Sequence, residues 1–284
     1  MKVLVCGAGA VGCWLGGSLA AGGAEVTLLA RPAQAEALLR DGLTLRRGRR
    51  TTRVRPGVVL LLDSPGARSS YEIALVAVKS YATAGLAVAL RASDVPTLVS
   101  VQNGIGNEGA LAAALPDRRV IAGTLTTGVT LRRPGVVEAG RSGAVGLATC
   151  PSGDATAAAL DELARAFTAG GIGVRRYADG TAMKWSKLLL NLLGSATPAI
   201  LGWSPAQVFA DRHLFGVERQ AWLEADAVMR ALGRRPVALP GFPVPVFVAL
   251  ARQLPEGWLY RLAARRLAGA RGRRGPPGGA PLGP

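Results

Sequence analysis

The chain is poor in the residues that most often build reactive centres. Among its 284 residues are one histidine, three cysteines and four lysines. His213, in Asp211-Arg212-His213-Leu214, has no spaced acidic partner, so it is expected at a surface or helix cap rather than in catalysis. Cys6, Cys13 and Cys150 contain no C-x-x-C pair and cannot all be joined in disulfides. That argues against a zinc site and a secreted framework, so no metal and a reducing cytoplasm are expected. Aromatic residues make up only 5% of the chain, too few for the interleaved basic and aromatic stripe that stacks nucleic-acid bases. No apolar run is long enough to cross a bilayer, because the stretch from Leu188 to Trp203 is interrupted by Asn191, Gly194 and Pro198.

Acidic residues are the scarce charge, 18 against 34 basic, giving a net +16. Such an excess invites a polyanionic partner. Apart from Lys2, Lys79, Lys184 and Lys187, however, the basic residues are arginines scattered in ones and twos through apolar segments rich in Ala, Gly and Pro. That pattern resembles GC-rich coding more than a binding face, and nucleic-acid binding is not expected outside the Arg-rich end from Arg261 to Arg274. Length and a 49% hydrophobic content suit two domains.

What is present is order. The run from Lys2 to Gly22 has the composition of a signal peptide but the sequence of strand, spaced glycines and helix, with a second strand from Glu25. The pattern predicts strand 2–6, helix 10–21, strand 25–30, helix 33–40 and paired short strands between Leu43 and Leu62. Strand 72–78, helix 81–91, strand 97–102 and a short helix from Asn107 to Leu115 follow. Ile73 to Val78 is apolar on both faces, as in a parallel sheet covered by helices on each side. Thr- and Gly-rich segments from Val120 to Leu147 read as antiparallel additions at the sheet edge, and Ala155 to Ala169 as a helix. From Asp179 onward helices dominate, at 180–194, 205–232 and 243–268. The expected organisation is α/β: a Rossmann-type doubly wound domain over 1–175, a mainly helical substrate or dimerisation domain over 176–268, and a disordered Arg/Gly/Pro tail over 269–284. Helical faces leave a homodimer open.

Two clusters carry chemistry. Gly7-Ala8-Gly9-Ala10-Val11-Gly12 is a G-x-G-x-x-G placed between a strand and a helix, the setting in which it binds a dinucleotide pyrophosphate at a helix N-terminus. At the end of the second strand, where an NAD enzyme carries an acid, the chain reads Leu28-Leu29-Ala30-Arg31. Arg31 suits a 2′-phosphate, hence NADPH/NADP+, with a merely solvated arginine as the alternative.

The second cluster is Lys184-Trp185-Ser186-Lys187-Leu188-Leu189-Leu190-Asn191. Reducing a carbonyl takes a proton as well as a hydride. Lys187 and Asn191, four apart, share one helical face, and the leucines around them would lower the lysine's pKa. The alternative, lysines snorkelling from a helix between domains, stays open.

With these residues in view, the chain from Met1 to about Gly233 resembles ketopantoate reductases. The Gly7 to Gly12 loop, Arg31, Val78-Lys79-Ser80-Tyr81, Gln102-Asn103-Gly104-Ile105-Gly106 and Lys184 to Asn191 carry the likeness. The resemblance implies a fold of the 6-phosphogluconate-dehydrogenase-like kind and NADPH-dependent reduction of 2-dehydropantoate to pantoate, on the route to pantothenate and coenzyme A. It places Lys187 on the catalytic lysine and Asn191 on a substrate-binding asparagine. Lys79 and Asn103 fall on cofactor-contacting positions, with Asn103 also directed at substrate, and Val129 falls where a main-chain group meets the cofactor. Ser195 stands where the family has a second asparagine, and the family's later Ser and Glu-x-Asp segment has no counterpart here. Glu256, in a different context, is expected as a surface turn residue. A shortened or frame-altered family member, a relative acting on another 2-oxoacid or 2-hydroxyacid, and an NADPH-binding protein without turnover are the readings those departures leave open.

Overall fold

A computed structural model of the chain describes residues 1–60, 70–149 and 157–261. The first half alternates as its pattern predicts: β1 (Lys2–Cys6), α1 (Ala10–Ala21), β2 (Glu25–Leu29), α2 (Pro32–Asp41), β3 (Leu43–Arg47), β4 (Arg50–Val54) and β5 (Gly57–Val59). Then come β6 (Ile73–Val76), a 3-10 turn (Ser80–Ala82), α3 (Thr83–Leu90), β7 (Thr97–Ser100) and α4 (Asn107–Ala114). They are followed by β8 (Arg119–Leu125), β9 (Val129–Arg133), β10 (Val136–Ala139), β11 (Val145–Thr149), α5 (Ala157–Ala169) and β12 (Val174–Tyr177). The rest is helical: α6 (Gly180–Leu192), α7 (Ala196–Leu201), α8 (Pro205–Ala210), α9 (Arg212–Ala231) and α10 (Val244–Gln253).

Eight strands form the main sheet, in the order β12-β11-β8-β7-β6-β1-β2-β5. All neighbours run parallel except β8 and β11. Every residue of β6 and β7 is buried, which is why those strands are apolar without alternation. From β1 the chain winds outward to β2 and β5, then returns to the other side of β1 with β6. The crevice at the carboxyl ends of β1 and β6 is therefore the topological switch point, where open α/β sheets bind ligands.

The Thr- and Gly-rich segment does not all lie at the edge of that sheet. β8 runs parallel to β7 within it and β11 pairs antiparallel with β8, but β9 and β10 leave it. β10 pairs in parallel with β3, making a second sheet of order β4-β3-β10-β9. Helix α1 explains the detour. It is apolar nearly all round, so one sheet cannot cover it. A Cβ on Gly17 would fall 2.7 Å from a Leu45 methyl and 2.8 Å from a Leu43 methyl, so the bare backbone lets the second sheet close onto the helix. Leu43, Leu45, Val137 and Ala139 join the same buried cluster as Leu15 and Leu19.

Three other expectations shift. β12 went unseen because Val174-Arg175-Arg176-Tyr177 is short and half charged, as edge strands tend to be. The helix expected over 205–232 is two, since the Asp211 side chain accepts the N–H groups of His213 and Leu214, both at 2.9 Å, and caps a fresh start. The helix expected over 243–268 breaks at Leu254-Pro255 and resumes over 256–261. Its remainder, Cys150, the start of the helix expected from Ala155, and the tail over 269–284 lie outside the described residues.

Contacts divide the chain into one unit of Met1–Leu188 with Pro236–Pro243, and another of Leu189–Arg235 continuing from Val244. This differs from a boundary at 175, because most of α6 is anchored to the sheet. Ser186 Oγ accepts the N–H of Val237 at 2.8 Å, and the Tyr177 hydroxyl donates to the Ala238 carbonyl at 2.9 Å. In the second unit α9 buries Phe215, Glu218, Trp222, Asp226 and Met229 along one face. Asp226 is ion-paired with Arg230 and Arg252, and the Arg219 guanidinium donates to the Ala251 carbonyl at 2.7 Å, joining α10 to α9.

Candidate active site

The carboxyl ends of β1, β2, β6 and β7 bring most of the cofactor candidates together. Gly7 follows β1 with φ 111°, a left-handed value suited to glycine, and a Cβ there would press on Val78 at 3.0 Å. A Cβ on Gly12 would meet the Gly7 carbonyl oxygen at 2.0 Å, so only glycine lets α1 start this close to the strand. Gly9 is different, because a Cβ there meets nothing within 4 Å. Its bare backbone faces open space, the property a pyrophosphate cradle needs. Helix α1 begins with no capping side chain and no acid in its first turn, which leaves the first-turn amides of Ala10 and Val11 to an outside acceptor. Ala8 has a supporting part, its N–H donating to the Leu29 carbonyl at 3.0 Å and tying the loop to β2.

Arg31 sits two residues past β2 as the exposed N-cap of α2. Lys79 is the exposed residue opening the 3-10 turn, next to the Val78 that abuts Gly7. Val129 starts β9 in the second sheet and packs partly buried against the core.

Beneath the exposed tips lies a buried polar network. Gln102 is buried, and its Nε2 donates to the Val78 carbonyl at 3.0 Å and to Thr83 Oγ1 at 2.8 Å. Asn107 Nδ2 and Ser80 Oγ donate to the Asn103 carbonyl at 3.1 and 3.3 Å. The loops bearing Lys79 and Asn103 are thereby stitched to each other rather than left as free turns.

Helix α6 carries the two lysines. Lys184 is buried, its ammonium 2.7 Å from Glu108 Oε1 and 2.7 Å from the Gln102 carbonyl. Lys187, one turn on, is half-buried and makes no hydrogen bond or ion pair among the described residues. Burial alone pushes its pKa below the ordinary lysine value. Asn191 follows four residues later on the same helix face, half-buried and partnered. Ser195 is exposed at the start of α7, and its hydroxyl donates to the Asn191 carbonyl, an arrangement unlike that of a second asparagine amide.

Among the described residues the cysteines are not poised for thiol chemistry. Burial lifts Cys6 to about 12 and Cys13 to about 11. His213 is exposed in the first turn of α9, as expected. Glu256 is also exposed, though it opens a helical stretch rather than standing in a turn. Among the described residues no group of His, Cys, Asp and Glu could hold a metal ion, and no helix is long and apolar enough to cross a membrane. In the sequence Lys184 stands in its cluster without a role of its own, and Glu108 is not singled out. Their signal was only an ammonium three residues before Lys187 and an acid just past the Asn-Gly-x-Gly turn.

Residues 3–151 match the family model for ketopantoate reductase PanE/ApbA. The chain belongs to the ketopantoate reductase family. It is 36% identical over 205 residues to a 2-dehydropantoate 2-reductase of Halobacterium salinarum, a match covering 70% of this chain and 65% of that protein. The chain thus spans a little under two thirds of that relative's length. In structure it is similar to a PanE/ApbA family ketopantoate reductase from Ralstonia eutropha, with TM-score 0.75, 27% identity, and 96% of this chain and 93% of that one covered. It also shares its fold with D-mandelate dehydrogenase solved with NADH and anilino(oxo)acetate, with TM-score 0.75, 19% identity, and 96% and 93% covered.

Proposed function

We propose that this chain reduces 2-dehydropantoate to pantoate with NADPH, Lys187 delivering the proton. The observation that carries the reading is Lys187 itself: a lysine held half-buried on a rigid helix, with no partner among the described residues, in a member of the ketopantoate reductase family. An ammonium that gives up its proton more readily than a free lysine suits a general acid near neutral pH.

The glycine loop and the amides of Ala10 and Val11 would hold the pyrophosphate of the dinucleotide, Arg31 a 2′-phosphate, and Lys79 and Asn103 the portion towards the nicotinamide. Val129 would add a main-chain contact. Bound there, the dihydronicotinamide supplies the hydride. Lys187 would donate a hydrogen bond to the ketone oxygen and pass its proton to it as charge develops, while Asn103 and Asn191 fix the direction of the carbonyl. The Ser195 hydroxyl, whose proton goes to the Asn191 carbonyl, would be left to accept a hydrogen bond from the substrate.

A second reading, another 2-oxoacid as substrate, is favoured by Ser195, whose hydroxyl turns back onto the Asn191 carbonyl. Initial rates of NADPH and NADH oxidation with 2-dehydropantoate and with an aromatic 2-oxoacid separate the two. Fastest turnover with 2-dehydropantoate and NADPH supports the first reading, and preference for the aromatic acid overturns it.

A further inference from the structure

Lys184 and Glu108 take no part in the chemistry just described, yet they form an ion pair deep in the sheet unit. The side chains are 4% and 10% exposed and their charged atoms lie 2.7 Å apart. Withdrawing two charges from water commonly costs as much as their attraction returns, so such a pair is weak grounds for stability and better grounds for fixing a geometry.

The geometry it fixes is specific. Besides its ion pair with Glu108 Oε1, an oxygen that accepts no hydrogen bond among the described residues, the Lys184 ammonium donates to the carbonyl of Gln102 at 2.7 Å and to that of Ser100 at 3.4 Å. The Gln102 carbonyl belongs to the peptide that leads into Asn103. Glu108 lies in the first turn of α4, immediately beyond the loop. One ammonium therefore grips the Asn103 loop on both sides. Between those grips Gly104 and Gly106 have left-handed backbones, φ 88° and 86°, and a Cβ on either would meet nothing closer than 3.9 Å. The space around those two glycines is open, and the Asn103 carbonyl beside them is held by Asn107 and Ser80. On the helix side, Lys187 is three residues further along α6, whose backbone hydrogen bonds transmit the position of one turn to the next.

We propose that the Lys184–Glu108 pair is a positioning device that locks α6, and with it Lys187, to the loop carrying Asn103. Lys184 and Glu108 act through Lys187 and Asn103, so the proposal rests on the reading of those two as substrate-facing. A displacement of about 1 Å between a proton donor and its orienting partner costs on the order of a hundredfold in rate.

The test is the double variant Lys184→Met/Glu108→Leu, which removes both charges and fills their space with apolar groups. Such replacements generally preserve folding, whereas Lys184→Met alone strands a buried carboxylate and confounds stability with geometry. Four quantities are read on the full chain: kcat and KM with 2-dehydropantoate, NADPH affinity from its fluorescence, and amide hydrogen exchange over residues 102–107. The expected result is a kcat lower by about ten- to a hundredfold, exchange at 102–107 faster by about tenfold or more, and NADPH affinity weaker by no more than about tenfold, the share of the Asn103 contact. Wild-type kcat and wild-type exchange in a folded double variant would overturn the proposal, reducing the pair to filler. If the unmodified chain does not turn over 2-dehydropantoate, the reductase reading fails on its own. Exchange still decides the clamp: faster exchange in the double variant upholds it, unchanged exchange overturns it.

Discussion

Two consecutive turns of α6 carry the same side chain in opposite settings. At Lys184 the ammonium is sunk among Glu108 and two backbone carbonyls, so its charge is compensated within the sheet unit. At Lys187 the ammonium is half-buried beside leucines with no compensation among the described residues, and burial makes its proton easier to lose. The difference teaches how to sort ionisable groups around a site. A partnered buried charge holds structure together, whereas a desolvated and unpartnered one is held ready for transfer.

The sharpest way to break that contrast is to remove each ammonium in turn. Lys187→Ala is expected to lower kcat by about 10²- to 10⁴-fold, the usual share of a general acid, with a fold unchanged by circular dichroism. Lys184→Met should instead cost stability, by about 3–5 kcal/mol for a carboxylate left buried and unpaired, visible as a melting temperature lower by on the order of 10 °C. Should the two variants show the same pattern of loss, the contrast is wrong.

Stability against pH sharpens it further. The pKa of Lys187 is lowered in the folded chain, so between that value and 10.5 the unfolded chain binds the extra proton and stability rises with pH. Below the folded value both states are protonated and the cost of burying the charge is fully present. Lys187→Met removes that cost, so its melting temperature at pH 7 should lie above that of the unmodified chain while turnover is lost. A lower melting temperature would show that the ammonium has a stabilising partner.

The cofactor loop offers a comparison of the same form. Gly9→Ala introduces a methyl into open space at an extended backbone (φ −81°), so folding should be unaffected. NADPH should nevertheless bind about tenfold or more weakly, through loss of close phosphate approach. Gly12→Ala, whose methyl would collide with the Gly7 carbonyl oxygen at 2.0 Å, should lose stability as well as binding. The smallest effect is expected at Arg31. Arg31→Ala should reduce the preference for NADPH over NADH by about tenfold, the worth of one charge-assisted hydrogen bond, and equal losses for both cofactors would remove Arg31 from specificity.

How much of this was legible in the sequence follows from the range of the interactions involved. The parallel sheet could be read from β6 and β7, where burial on both faces leaves an unbroken apolar run. The glycine loop could be read because each glycine answers a local demand, a left-handed turn at Gly7 and a close approach at Gly12. The pairing of β10 with β3 could not, because it depends on α1 being narrow at Gly17, a contact distant in sequence. The Lys184–Glu108 pair was hidden for the same reason, its partners being 76 residues apart and joined only when α6 packs on the end of β7. The break at Asp211 was legible in principle, as an N-cap residue before a charged helical turn, but the apolar period on either side masked it.

The most direct test of the central claim uses the scarcity of lysine. With four lysines in the chain, ¹³Cε-lysine labelling gives a spectrum in which one signal can be assigned to Lys187 by its loss in Lys187→Met. The account predicts that this signal titrates below the ordinary lysine value of 10.5. A Lys187 that titrates at or above that value is a solvated or paired ammonium, and the assignment of the proton donor fails.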